Sequence, residues 1–357
     1  MNTYTRFIIF KFFKSFLLLF IVFLALVFLL NLISELDFFQ QVNANIYFPI
    51  YLSILNSHSL IFEMFPFIIL LSTQHFFINI SRYNQIEIFK YSGLKNSHIL
   101  KIISFFCIIL SLLIVIIFYN FSSNLKNFYL SLKSNYTDDD KYLAVVTNNG
   151  LWIKDKIDNK ILIVNASKIE NNFLIDTFIT EFDQNYNPIR NIKSPKINIE
   201  KNKWKINDAS IYYKNNKFIK DYILLNSNFN YKRIQSLFSN LSSLSVKELY
   251  KLKENYKILG YSTTEINIHL MKIYTYPINL LFMLLLASIL MFKTKKHTNN
   301  TLKISIGIFL SVIIFYLNNF FSVLGNSEKV TVEISVFGPL IIIFFMISIM
   351  LNRINEY

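Results

Sequence analysis

The chain has a single cysteine, Cys107, so it cannot form an internal disulfide. It has only six glycines. No G-x-x-x-x-G-K-[ST] loop occurs, and glycine-rich turns that cradle nucleotide phosphates are nearly excluded. Its histidines, His58, His75, His98, His269 and His297, stand far apart, so neither H-E-x-x-H nor another short-spaced metal pattern occurs. Three acids cluster in "TDDDK" at 137–141, a sequence that reads as an exposed loop entry. Charged residues make up 16% of the chain, against roughly 25% in soluble domains. From Ser15 to Ser81 there is no lysine or arginine. These absences argue against an enzyme, a bound cofactor, a metal site or ATP hydrolysis by this chain.

Hydrocarbon-compatible residues are what the chain has in excess. Hydrophobic residues reach 53%, and mean hydropathy is +0.40. They gather into runs that approach or reach the roughly 20 residues a helix needs to cross a bilayer. Six such runs are present: Phe16 to Leu32, Leu60 to Ile80, Ile102 to Tyr119, Ile273 to Phe292, Ile304 to Leu324 and Val336 to Leu351. The first follows Arg6, Lys11 and Lys14. Its apolar core exceeds the roughly 7–15 residues of a signal peptide and no A-x-A-like site follows, so it reads as a retained span.

Lys and Arg near span ends are held on the cytoplasmic side. Span one is followed only by Glu35 and Asp37, whereas span two is followed by Arg82, Lys90, Lys95 and Lys101. Lys293, Lys295, Lys296 and Lys303 between spans four and five repeat the pattern, as does Arg353 after span six. Both termini are therefore expected in the cytoplasm, with the long segment between spans three and four outside. The net charge of +14 then reflects orientation and a Lys-rich outer domain, and no nucleic-acid partner is required.

That outer segment, 120–267, alternates in "PKINIEKNKWKINDASIYY" (Pro195 to Tyr213), where Ile197 and Ile199, then Trp204 and Ile206, flank a polar turn. Period two with a short polar break predicts a hairpin. "KILIVNASKI" and "FIKDYILLNSNF" read as further strands, with "NYNP" and "KNNK" as turns. Ser245 and Glu248 form a capping box that predicts a helix over about 245–259, stopping at Gly260. The expected fold is an α-helical membrane protein of six spans (3+3) with an inserted extracytoplasmic β-sandwich or jellyroll-like domain. The boundaries are 1–119, 120–267 and 268–357.

Ionisable and amide groups inside spans mark candidate pathways or interhelical contacts. Glu63 stands near the outer end of span two, Lys272 at the start of span four, Asn279 within it, and Asn318 with Asn319 in span five. Snorkelling is the plainer reading for Lys272, and interhelical hydrogen bonding for the asparagines. Residues 82–98, "RYNQIEIFKYSGLKNSH", form a half-polar stretch between spans two and three, too long for a plain connector.

The ordered set "YSG" (Tyr91 to Gly93), "NNGLWIKD" (Asn148 to Asp155), "LSVKELYKLKENYKILGYS" (Leu244 to Ser262), "YPINLLFMLLLA" (Tyr276 to Ala287) and "FYLNN" (Phe315 to Asn319) resembles the LptF/LptG lipopolysaccharide export permeases over essentially the whole length. The G-L-W-x-K-D stretch and the helix before span four favour the LptG branch. The resemblance implies that about 82–93 is a cytoplasmic coupling helix docking into a separate ATPase dimer, through Arg82, Gln85, Ile86, Glu87, Phe89, Ser92 and Gly93. It implies a lipid pathway, assigned here to Glu35, Glu63, Lys272 and Asn318. It also implies a homologous LptF-like permease partner, LptC- and LptA-like periplasmic jellyroll partners, lipopolysaccharide as cargo, and residence in the bacterial inner membrane. This chain departs from the family at three places. Gln85 stands where a Glu is frequent, with Glu87 two residues on. Leu32 and Glu35 stand where a basic residue is used. Lys272 is one residue too far from Pro277. The rival readings are a permease-like subunit for another envelope lipid or lipoprotein, and an integral-membrane lipid-modifying enzyme.

Overall fold

The structure is a computed structural model. It describes residues 3–40, 45, 47–82, 85–133, 136, 151–157, 160–170, 172–214, 216–231, 234, 240–259, 261–293 and 299–351. The stretch "TDDDK", Asn148 to Gly150, Gly260, Lys295, Lys296, His297 and Arg353 lie outside these residues, as do the side chains of Ile86, Lys90 and Lys293. The chain divides into two compact units, Met1–Lys126 with Thr264–Tyr357, and Asn127–Thr263.

The first unit is helical. Its elements are α1 (Thr3–Phe39), α2 (Tyr47–Arg82), the short α3 (Gln85–Tyr91), α4 (Asn96–Leu113), α7 (Thr264–Lys293), α8 (Asn300–Asn326) and α9 (Val332–Leu351). After α4 the chain stays helical through a π-helical stretch, Ile114–Tyr119, and α5 (Asn120–Lys133). The third span is thus helical well beyond the point where its hydropathy ends. Among the described residues, six helices are long and apolar enough to cross a membrane. β-branched and aromatic residues crowd these helices despite modest helix propensity, because in hydrocarbon every backbone polar group must be paired within its own segment.

Rings do much of the packing. Phe12 meets Phe76 at 5.7 Å and Phe106 at 6.0 Å, while Phe20 meets Phe65 at 5.8 Å and Phe118 at 6.4 Å, which ties α1 to α2 and to the third span. Cys107 is buried in the same core. Polar fastening between α1 and α2 runs through Asn31, whose amide donates to the Ser53 carbonyl (3.2 Å) and whose carbonyl accepts from Asn56 (3.0 Å). The Gln74 amide donates to the Lys303 carbonyl (3.0 Å), joining α2 to α8. Gly307 permits that approach, because a methyl group there would collide with the Gln74 amide. The Asn279 carbonyl is buried without a hydrogen-bond partner among the described residues, so its expected interhelical role is carried elsewhere.

The second unit holds one antiparallel sheet in the order β1 (Leu151–Ile157), β2 (Lys160–Ala166), β4 (Phe173–Phe182), β5 (Pro188–Asn198), β6 (Lys203–Tyr213) and β7 (Asn216–Asn226), with the short β3 (Lys168–Glu170) paired to β4. The expected hairpin is β5–β6, with Ile197 opposite Ile206 and both side chains buried. Alternation places Ile153, Val164, Ile179, Ile192 and Ile211 in one row across the inner face. Asp176 (φ 47°) and Asp208 (φ 48°) take the left-handed conformation on either side of Ser194, and irregularities on neighbouring strands bend the sheet. The "NYNP" turn is set by Asp183, which accepts the Asn185 and Asn187 backbone N–H groups (2.9 and 2.8 Å). The Asn187 side chain, followed by these backbone donors, holds the Asp183 carboxyl below its usual range.

Asp155, the last residue of the G-L-W-x-K-D stretch, is buried on β1 and accepts from Ser227 Oγ (2.8 Å), Asn228 N (2.9 Å) and Asn228 Nδ2 (2.8 Å), just past the end of β7. Strands at opposite ends of the order can meet in this way only because the sheet curls. The Trp204 indole N–H donates to the Phe229 carbonyl (2.7 Å) and anchors the segment that follows. α6 (Val246–Leu259) begins with the expected capping box, the Ser245 N–H donating to Glu248 Oε2 (2.8 Å). Beyond it the Tyr261 hydroxyl accepts from the Lys154 N–H (3.0 Å), and so occupies a donor on edge strand β1. The other edge, β7, exposes Phe218, Ile219, Tyr222 and Leu224.

Candidate functional site

Pro66 lies within α2 and has no N–H, so the carbonyl four residues earlier, on Phe62, is left without its helical donor. The Tyr276 hydroxyl from α7 donates to that carbonyl. The two rings stack at 4.6 Å, and Tyr119, at the end of the π-helical stretch, packs on Phe62 at 5.1 Å. Tyr119 also shares a hydrogen bond with His269 on α7 (3.1 Å). One proline and three aromatic rings thus fasten three spans at one level.

Around this knot the charges collect. Glu63, next to Phe62, is exposed on the helical unit and lies within Coulombic reach of the Lys126 and Lys272 ammonium groups. Both lysines are half-buried and both also act on His269. Two ammonium groups that interact with one carboxylate next to hydrocarbon, where screening is weak, can also attract an anionic group such as a phosphate. No group of three or more His, Cys, Asp or Glu able to hold a metal ion occurs among the described residues.

Of the four pathway residues read from sequence, the structure brings Glu63 and Lys272 together. Glu35 is buried near the end of α1 and Asn318 is half-buried on α8. Sequence reasoning missed Lys126, His269, Tyr119 and Tyr276. A signal existed for His269, which stands three residues before Lys272 and so shares its helix face. Lys126 was hidden because hydropathy ends at Tyr119 while the helix continues.

The second site is α3. After Tyr91 the chain turns at Gly93 (φ 81°), with the Ser92 hydroxyl donating to the Ile88 carbonyl (2.8 Å) and the Leu94 N–H to the Phe89 carbonyl (2.9 Å). Glycine meets that left-handed φ without the strain a Cβ would bring, although the space there is open. Phe89 points inward and meets Phe7 of α1 at 6.2 Å. Gln85 is half-buried, whereas Arg82, Glu87, Ser92 and Gly93 are exposed, with Ile88 at 58% and Tyr91 at 90% exposure. One side chain is therefore keyed into the helical unit, while an apolar, aromatic and acidic face stays open.

A family model described as lipopolysaccharide export system permease LptF/LptG matches residues 6–353. No individual curated protein matches the chain. Six spans, an inserted antiparallel β-domain and a match over nearly the whole length agree, and the chain belongs to the LptF/LptG family of lipopolysaccharide export permeases, a family of transporters.

Proposed function

We propose that this chain is the LptG-type half of an ATP-driven lipopolysaccharide exporter, a multi-pass inner-membrane protein with both termini cytoplasmic and its β-domain periplasmic. It pairs with an LptF-like permease and extracts the lipid from the outer leaflet of the inner membrane. The observation that carries this reading is the pair of ammonium groups, Lys126 and Lys272, beside the Glu63 carboxylate. It stands at the ends of spans that positive-inside counting assigns to the outer face, where a glycolipid phosphate would lie. Work is required because exposing one acyl chain to water costs on the order of 10 kcal/mol, at about 0.8 kcal/mol per methylene. That work enters from a cytoplasmic ATPase dimer docked on α3. Exposure favours Glu87 over Gln85 as its polar contact. LptC- and LptA-like jellyroll partners receive the lipid by adding a strand at β7, the edge that Tyr261 does not cover.

The test reconstitutes the complete transporter in vesicles and follows ATP-dependent lipopolysaccharide release. Lys126→Ala with Lys272→Ala should lower release by about tenfold, the scale of losing charge-assisted hydrogen bonds. The Lys→Arg pair should retain most of it. Unchanged release in the alanine pair would remove the site from the pathway.

A further inference from the structure

A second feature of the third span lies outside the charged site. Between α1 and the π-helical stretch is a cavity of about 350 Å³, walled by Phe16, Leu17 and Phe20 of α1, Phe65 of α2, and chiefly Leu113 and Ile117 of the third span. Its walls hold essentially no polar surface. Within its walls Phe20 meets Phe118 at 6.4 Å. The side remains open. Leu17, Leu113 and Ile117 are 40%, 52% and 62% exposed there, in a unit whose surroundings are hydrocarbon. The π geometry explains the slot, since an extra residue per turn widens the helix and turns it away from its neighbour.

We propose that this slot holds one acyl chain of an anionic glycerophospholipid from the cytoplasmic leaflet. A whole helix, about 10–12 Å across with its side chains, does not fit inside the slot and could only cover it from outside. By the scale of an apolar cavity of about 150 Å³ that takes a six-carbon ring, the slot accepts roughly a dozen chain carbons. The leaflet follows from charge. Lys14 is exposed on α1 one turn before Leu17 and on the same face, and Lys101 is exposed at the base of α4. An acidic headgroup beside Lys14 would send its chain along α1 into the slot. The lipid is resident and is distinct from the exported cargo.

The experiment uses the full chain in vesicles containing phosphatidylglycerol with a diazirine near the end of one acyl chain. After irradiation, adducts are mapped by peptide mass spectrometry. Adducts are expected at Leu17, Leu113 and Ile117 above the level on the lipid-facing residues of α9. Ile117→Trp and, separately, Leu113→Trp should reduce labelling at Leu17 to that α9 level while leaving α9 labelling unchanged, which shows the chain is intact. Equal labelling with and without the tryptophans would overturn the proposal. So would preferential labelling by a lipopolysaccharide probe, or a cross-link to a protein helix at Ile117 in the assembled transporter. None of these outcomes depends on export, so failure here leaves the transport reading to its own test.

Discussion

At the scale of single residues, proline in a span creates a vacancy that a neighbour's side chain fills. Pro66 frees the Phe62 carbonyl and Tyr276 takes it. Tyr276→Phe should therefore cost about 1–3 kcal/mol, the price of a buried acceptor left unmet. Pro66→Ala restores the helical donor, so in that background the same change should cost at least about 1 kcal/mol less. Thermal unfolding in one detergent across the four-member cycle measures this, and an additive cycle would refute the pairing. Asp155 makes a comparable claim in the β-domain. Asp155→Ala leaves the Ser227 and Asn228 donors buried without an acceptor and should destabilise by about 3 kcal/mol, seen as a lowered melting temperature. Asp155→Asn, which keeps one acceptor oxygen, should cost less. Tyr261 supplies a pH signature. Burial first, and then the Asp155 charge, push its hydroxyl pKa above the usual 10. Its contribution is therefore complete below the unfolded value and lost as pH rises through the folded one. As pH rises through and above the usual tyrosine value of about 10, the wild type should lose more stability than Tyr261→Phe.

Neither the Tyr276 bond nor the Asp155 bond could be read from sequence. Each joins residues that chain separation hides, 214 positions in one case and 72 in the other. What sequence did carry at this scale was type: an acid in a span and a lysine at a span entrance. Glu63 and Lys272 stand out in the sequence for that reason. Glu35 and Asn318 share those residue types, and which of the four face one another is set by packing that the sequence does not display.

At the scale of elements, apolar run length located the six spans, and period two located the β5–β6 hairpin. The Ser245–Glu248 box located α6 through its own hydrogen bonds. These signals are local, and local physics decides them. The continuation of the third span through the π-helical stretch to Lys133 was not legible, since hydropathy falls at Asn120 while helical hydrogen bonding does not. The same limit affected α3. Its seven residues form a short helix whose inward side chain is Phe89, and only packing against Phe7 reveals which face is left open. Edge strands show the complementary case. Tyr261 occupies a donor of β1, and β7 keeps apolar side chains exposed. Replacing outward residues of β7 by Lys, such as Ile219→Lys and Leu224→Lys, should block strand addition while preserving the fold. Pull-down of the jellyroll partner by the assembled transporter measures this, and undiminished capture would place the junction elsewhere.

For the whole molecule, the proposed function gives one polypeptide three parts: an exposed face for an energy source, a charged group for a lipid phosphate, and a sheet edge for a relay. The family to which it belongs is one of transporter permeases. The most direct measurement is ATP hydrolysis and lipopolysaccharide release, recorded together in vesicles holding the complete transporter, with Glu87, Ile88 and Tyr91 of α3 replaced by alanine. Hydrolysis should persist while release falls by about tenfold, as expected if binding energy at α3 converts nucleotide turnover into lipid movement. Release at the wild-type rate from that variant would contradict it.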